Sequence, residues 1–129
     1  MPERSKDWIN QANRDLHTAQ GLLDQGSFEW SCFVAQQAAE KAVKAVVQKL
    51  NAVAWGHCVH ELLSILANRV EVDKGLLDCA RALDKYYIPT RSPKSFDSGS
   101  PYQYFAKEDA ENAIVCSGRI AGLCEGILA

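Results

Sequence analysis

Phe28-Glu29-Trp30-Ser31-Cys32-Phe33-Val34-Ala35-Gln36-Gln37-Ala38-Ala39-Glu40-Lys41-Ala42-Val43-Lys44-Ala45-Val46-Val47-Gln48-Lys49-Leu50 is the stretch on which the fold turns. Phe28, Cys32, Ala35, Ala39, Ala42, Val46 and Leu50 recur at steps of four and three, so they lie along one stripe of a long helix. Phe33, Val43 and Val47 widen the stripe, as a core helix requires. The many alanines favour helix and let a neighbouring backbone come close. Ser27 opens this helix, and the run from Asn51 to Gly56 breaks its pattern.

Helical periodicity continues on both sides. A first helix is expected from about Ser5 to Gln25, with Trp8, Ala12, Leu16, Ala19 and Leu23 on its inner face. Ser5 is read as its N-cap, Asp7 suits the positive end of its dipole, and Gly26 ends it. A shorter helix spans roughly Val59 to Asn68, with Leu62, Leu63 and Leu66 apolar. A fourth starts at an Asp73 N-cap, carries Leu76, Leu77, Ala80, Leu83 and Tyr87, and stops at Ile88-Pro89. The last runs from about Lys107 to Leu128, with Ala110, Ala113, Ile114, Ile120, Ala121, Cys124, Ile127 and Leu128 inward. Its first turn holds Glu108, Asp109 and Glu111, where the dipole favours acids. No period-two run argues for a strand. The reading is all-α: about five helices in one domain over residues 1–129.

The exception is the connection from Ile88 to about Ala106. Connections beyond about 12–15 residues are uncommon in compact domains and tend to be functional or disordered. This one holds Pro89, Pro93, Pro101, Gly99 and four serines, together with Arg91, Lys94, Tyr102, Tyr104 and Phe105. Proline-bounded, aromatic and basic, it has the composition of a binding segment.

Composition narrows the function classes. The chain has 129 residues, 47% hydrophobic and 23% charged, with a net charge of −2, so anion binding must come from a local patch rather than from the overall field. The polar start, Met1-Pro2-Glu3-Arg4-Ser5-Lys6-Asp7, has no apolar run after it, and no window approaches the roughly 18–20 apolar residues of a membrane span. A cytoplasmic protein without membrane contact is expected. The five cysteines, Cys32, Cys58, Cys79, Cys116 and Cys124, include no CxxC pair and read as reduced thiols, mostly among apolar helix positions. His57-Cys58-x-His60 is half a metal site with no second cluster, so no metal and no cofactor are expected.

Gln36-Gln37-Ala38-Ala39-Glu40-Lys41-Ala42-Val43-Lys44-Ala45, then His60-Glu61-Leu62, then Tyr87-x-x-x-Arg91-x-Pro93, resembles the HEPN domain family of prokaryotic proteins. Ala12-Asn13-Arg14-Asp15-Leu16 is similar to the family's opening helix and Asp109-Ala110 to the start of its closing one, so the likeness covers almost the whole chain. The resemblance implies an up-and-down helical bundle of about five helices that usually pairs as a homodimer. It implies one of two activities: nucleotide binding beside a separate minimal nucleotidyltransferase protein, in a toxin–antitoxin-like pair, or metal-independent RNA cleavage marked by Arg-x(4–6)-His. No histidine of this chain follows an arginine at that spacing. Where relatives often have Arg-Tyr-Pro, this chain has Arg91-Ser92-Pro93; Tyr86, Tyr87 or Tyr102 could replace the missing ring.

The candidate ligand-binding residues are Lys41, Lys44, His60, Arg91, Tyr87 and Tyr102. Lys41 and Lys44 are three apart and project from one side of the second helix, with Glu40 placed to pair with Lys44. Arg91 is the bidentate phosphate partner, and its alternative role is a salt bridge tying the long loop to the bundle. His60 can act as acid, base or phosphate ligand, with Glu61 to orient it. Trp8 is expected in the core, Trp30 at an edge contact with another subunit, and Trp55 over the third helix or on the partner surface. The expected function is a nucleotide-binding accessory module with no catalytic residue assigned; an RNase toxin with a diverged site (His60 with Arg91) and a structural scaffold are the alternatives.

Overall fold

A computed structural model describes residues 3–53 and 55–129. Met1, Pro2 and Ala54, which belong to the polar start and to the 51–56 break, lie outside the described residues. The elements are α1 (Ser5–Asp24), α2 (Phe28–Lys49), α3 (Val59–Leu66), α4 (Lys74–Asp84) and α5 (Lys107–Leu128). Two short 3-10 turns, Pro93–Ser95 and Pro101–Gln103, stand between α4 and α5. The fold is all-α, as the periodicity requires.

α2 is the central helix and packs on each of the other four. Cys32, Ala35, Ala39, Ala42 and Val46 of its stripe are fully buried, as are Ala38 and Ala45 beside it. Alanine is what lets α1 and α5 approach one helix from two sides. Ala12 and Ala19 of α1 are equally buried, and Ser31 Oγ donates to the Ala19 carbonyl at 2.8 Å across the helix pair. Leu62, Leu63, Leu66, Leu83 and Ile120 supply the bulk of the core.

The helix ends follow local chemistry. Gly26, at φ 83°, closes α1: its N–H donates to the Leu23 carbonyl and that of Ser27 to Leu22, a Schellman pattern. Asn51, at φ 56°, does the same for α2, with Asn51 N–H on Gln48 and Ala52 N–H on Val47. Asp73 caps α4 as expected, accepting from Gly75 N–H at 3.1 Å.

Several expectations need correction. Ser5 is the first residue of α1 rather than its cap, and Arg4 occupies the cap position. α3 stops at Leu66, and α4 at Asp84 with turns carrying the chain on to Arg91, so Tyr87 is not helical. Trp8 is only half-buried: the close α1–α2 contact uses alanine, and an indole is too large for it. Cys79 and Cys116 are joined as a disulfide from α4 to α5, their Cα atoms 5.0 Å apart, because the crossing of those helices brings together residues whose sequence separation gives no such signal. Cys32, Cys58 and Cys124 remain free.

The 88–106 connection folds back on itself. Phe96 and Tyr104 stack with centroids 3.9 Å apart, and Phe105 sits edge-on to Phe96 and to Tyr86. Ser92 Oγ accepts from Lys94 N–H, and the Tyr104 hydroxyl donates to the Ser98 carbonyl. The Phe105 contact ties the end of the strap to Tyr86, two residues past the end of α4. No helix among the described residues is long and apolar enough to cross a membrane.

Candidate functional site

The turn after α4 lays Arg91 against aromatic side chains. Its guanidinium carbon lies 4.5 Å from the centroid of Phe33 and 4.6 Å from that of Tyr87. Its Nε–H donates to the Tyr87 carbonyl at 2.8 Å, which holds the side chain over the rings. Each cation–π contact is worth about 0.5–2 kcal/mol depending on desolvation. Trp30 meets Phe33 edge-on at 6.1 Å and remains 45% exposed. Arg91 is itself exposed and, among the described residues, has no carboxylate partner. The salt-bridge alternative for Arg91 is thereby replaced by an aromatic seat with a free cationic edge.

The other side of the site is a hydrogen-bonded polar line. Asp84, the last residue of α4, accepts from Val59 N–H at 2.8 Å, His60 N–H at 2.9 Å and the Cys58 thiol at 3.1 Å. A carboxylate from another helix therefore caps the N-terminus of α3, where orphan donors and the helix dipole both favour it. Gln36, fully buried, donates to the His57 carbonyl at 2.8 Å and reaches Asp84 at 3.4 Å. Together they pin the loop that carries His57. The His57 ring stacks on Tyr87 at 5.0 Å and 17°, and its Nδ1 lies 3.1 Å from Glu40 Oε1. Glu40, only 4% exposed, also accepts from Lys44 Nζ at 3.1 Å.

The predicted cations are thus not equivalent. Lys44 is paired with Glu40, as the spacing implied, and Lys41 with Asp15 of α1. Of these three, Arg91 alone keeps a cationic edge without an acid. Phe33, Glu40 and Lys44 nevertheless follow one another up one side of α2, so the contact path Arg91–Tyr87–His57–Glu40–Lys44 is continuous. Lys44 Nζ also stands 6.0 Å above the Trp8 ring, which lines a shallow pocket of about 360 Å³ with Arg4, Asp7, Gln11 and Lys41. His60 is fixed through its backbone, and Glu61 is exposed with no hydrogen bond to it. Tyr102 is 65% exposed, and no hydrogen bond or ring contact joins it to Arg91.

Tyr87 and Arg91 are therefore brought together, whereas Lys41, His60 and Tyr102 lie outside the contact path. Sequence reasoning missed Phe33, which the stripe assigns to the core, and His57, which reads as half a metal motif. The glutamate inside the quoted helix was the available signal: a buried carboxylate needs partners, and a histidine just before the next helix is one. Among the described residues no three His, Cys, Asp or Glu side chains gather as a metal site.

These five helices, with the polar line running from Asp84 to Lys44, define the class: an all-α bundle built around one central helix. The HEPN domain family matches residues 5–127, and the chain belongs to that family. Among solved structures it is similar to TT1696 from Thermus thermophilus, at 40% identity and TM-score 0.94, covering 98% of this chain and 99% of that one. It is also similar to ST0689, an archaeal HEPN homologue, at 38% identity and TM-score 0.83 over 97% of this chain and 98% of that one. A HEPN domain protein from Thermotoga maritima is 37% identical with TM-score 0.77, over 95% of this chain and 97% of that one. A curated relative from Methanocaldococcus jannaschii, named "Putative toxin MJ1304", is 25% identical in an alignment of 119 residues that covers 85% of this chain and 78% of that protein.

Proposed function

We propose that this HEPN protein is a nucleotide-binding accessory module that works as a cytoplasmic homodimer beside a separate minimal nucleotidyltransferase, in a toxin–antitoxin-like pair. One observation carries the reading: an exposed guanidinium seated on Phe33 and Tyr87 with no acid among the described residues to neutralise it. Such a group offers a planar fork to phosphate oxygens and has little rotamer freedom left to lose on binding. Trp30 beside it supplies an exposed ring for a base or for a second copy of the chain.

Titration calorimetry with a panel of nucleotides tests the binding. Arg91→Ala is expected to weaken it about tenfold to a hundredfold, the value of a charge-assisted contact of roughly 1.5–3 kcal/mol. A flat response across the panel overturns the reading. Co-purification with the nucleotidyltransferase encoded by a neighbouring gene tests the partnership.

A second reading, RNA cleavage, draws on His57 and Arg91 both contacting Tyr87 although the linear Arg-x(4–6)-His spacing is missing. Cleavage of tRNA or total RNA by purified protein, lost in His57→Ala, would favour it. No cleavage at high protein concentration would dismiss it.

A further inference from the structure

His57 is held unusually well for a side chain that is 57% exposed. Its ring face is covered by Tyr87, its Nδ1 faces both oxygens of Glu40 at 3.1 and 3.3 Å, and its carbonyl is bonded to Gln36. An exposed histidine with no task keeps its rotamer freedom, since fixing it costs entropy. Here the fold has already met that cost. Glu40 can only accept, so Nδ1 is the nitrogen that carries the proton toward it. Nε2 is then left with no hydrogen-bond partner among the described residues, on a side chain that is more than half exposed. Glu40 also accepts from Lys44 Nζ at 3.1 Å and from Gln37 Nε2 at 3.4 Å, and these contacts hold the carboxylate in place against the imidazole.

We infer that His57, and not His60, is the second phosphate-contacting group beside Arg91, and that Glu40 is a positioning residue that acts through it. The inference rests on the nucleotide-binding reading and deepens it. The ligand is a phosphate-bearing nucleotide whose oxygens are reached by the Arg91 guanidinium and by His57 Nε2, both groups being in contact with the same Tyr87 ring. His57 Nε2–H donates to phosphate oxygen when the ring carries both protons, while the opposite nitrogen stays on Glu40. The charged and titratable groups in contact with that ring are Glu40, with Lys44 behind it, on α2, and Tyr87 on the turn after α4, whose ring Arg91 also contacts.

The test is nitrogen-15 NMR of the full chain with labelled histidine, run with calorimetry on the same samples. In the free protein His57 should show the Nδ1–H tautomer, and Glu40→Gln should shift it toward the other. Addition of AMP or ADP should move the His57 Nε2 resonance and leave those of His17 and His60 in place; inorganic phosphate and a short RNA strand, run as further arms, separate phosphate from nucleotide and from phosphodiester recognition. His57→Gln should weaken nucleotide binding about tenfold, the scale of one charge-assisted hydrogen bond. Glu40→Gln should lose a similar factor, and the double variant should lose no more than His57→Gln alone, the non-additivity of residues acting as a unit. Circular dichroism on each variant checks that the helices persist. Nucleotide binding that needs Arg91 but leaves His57 unmoved, with His57→Gln at full affinity, overturns the inference and spares the nucleotide-binding reading. No binding by wild-type protein overturns both.

Discussion

At the scale of single residues, polar side chains inside the bundle are there to hold other groups still. Asp84 is the clearest case, because one carboxylate accepts two backbone N–H groups and a thiol at the start of α3. Asp84→Ala leaves those donors unpaired in a half-buried place. It should cost about 1–3 kcal/mol of stability, read as a lower urea midpoint. The free core thiols make a second prediction. Burial pushes Cys32 and Cys124 from 9.0 up to about 12, and the Tyr86 phenol from 10.0 up to about 12. All three are raised, so the fold keeps them protonated after the unfolded chain has begun to ionise. Stability from this source is complete below the ordinary values and is lost as pH climbs through them toward 12. Urea midpoints should therefore fall steadily above pH 9, and replacing Cys32 and Cys124 by alanine should flatten that decline. At pH 8 neither thiol should react with iodoacetamide until denaturant is added.

At the scale of elements, the alanine face of α2 decides how closely its neighbours sit. Ala39→Leu adds volume to a fully buried contact and should destabilise by about 1–3 kcal/mol; Leu62→Ala in α3 leaves a cavity and should cost about 2–5 kcal/mol. Equilibrium unfolding of both variants checks the pair. This is also where the sequence was most legible. Steps of three and four located the five α-helices of the described residues, and Gly26 and Asp73 marked two of their ends, since periodicity and capping are local physics. What could not be read was lateral. Lys41 looks free until α1 delivers Asp15, and Phe33 looks like core until the turn after α4 lays Arg91 on it. The Cys79–Cys116 link likewise needs the α4–α5 crossing, which no spacing in either helix announces.

At the scale of the whole molecule, the candidate site lies at one edge of the bundle with Trp30 beside it and Ile88 exposed in the same turn that carries Arg91. The family likeness rests chiefly on motifs from α2, α3 and the turn before Pro93; at Tyr87, α2 and that turn meet the loop that leads into α3. If a second copy covers that edge, sedimentation should give twice the chain mass and Trp30→Asp should shift the equilibrium toward single chains. A monomer at every concentration would remove the homodimer from the account and leave the nucleotide site to stand alone. The most direct measurement is a crystal structure with bound nucleotide. The account predicts a phosphate within hydrogen-bonding reach of the Arg91 guanidinium, over the edge shared by Phe33 and Tyr87. Nucleotide seated instead in the pocket against Trp8, with Arg91 untouched, would contradict it.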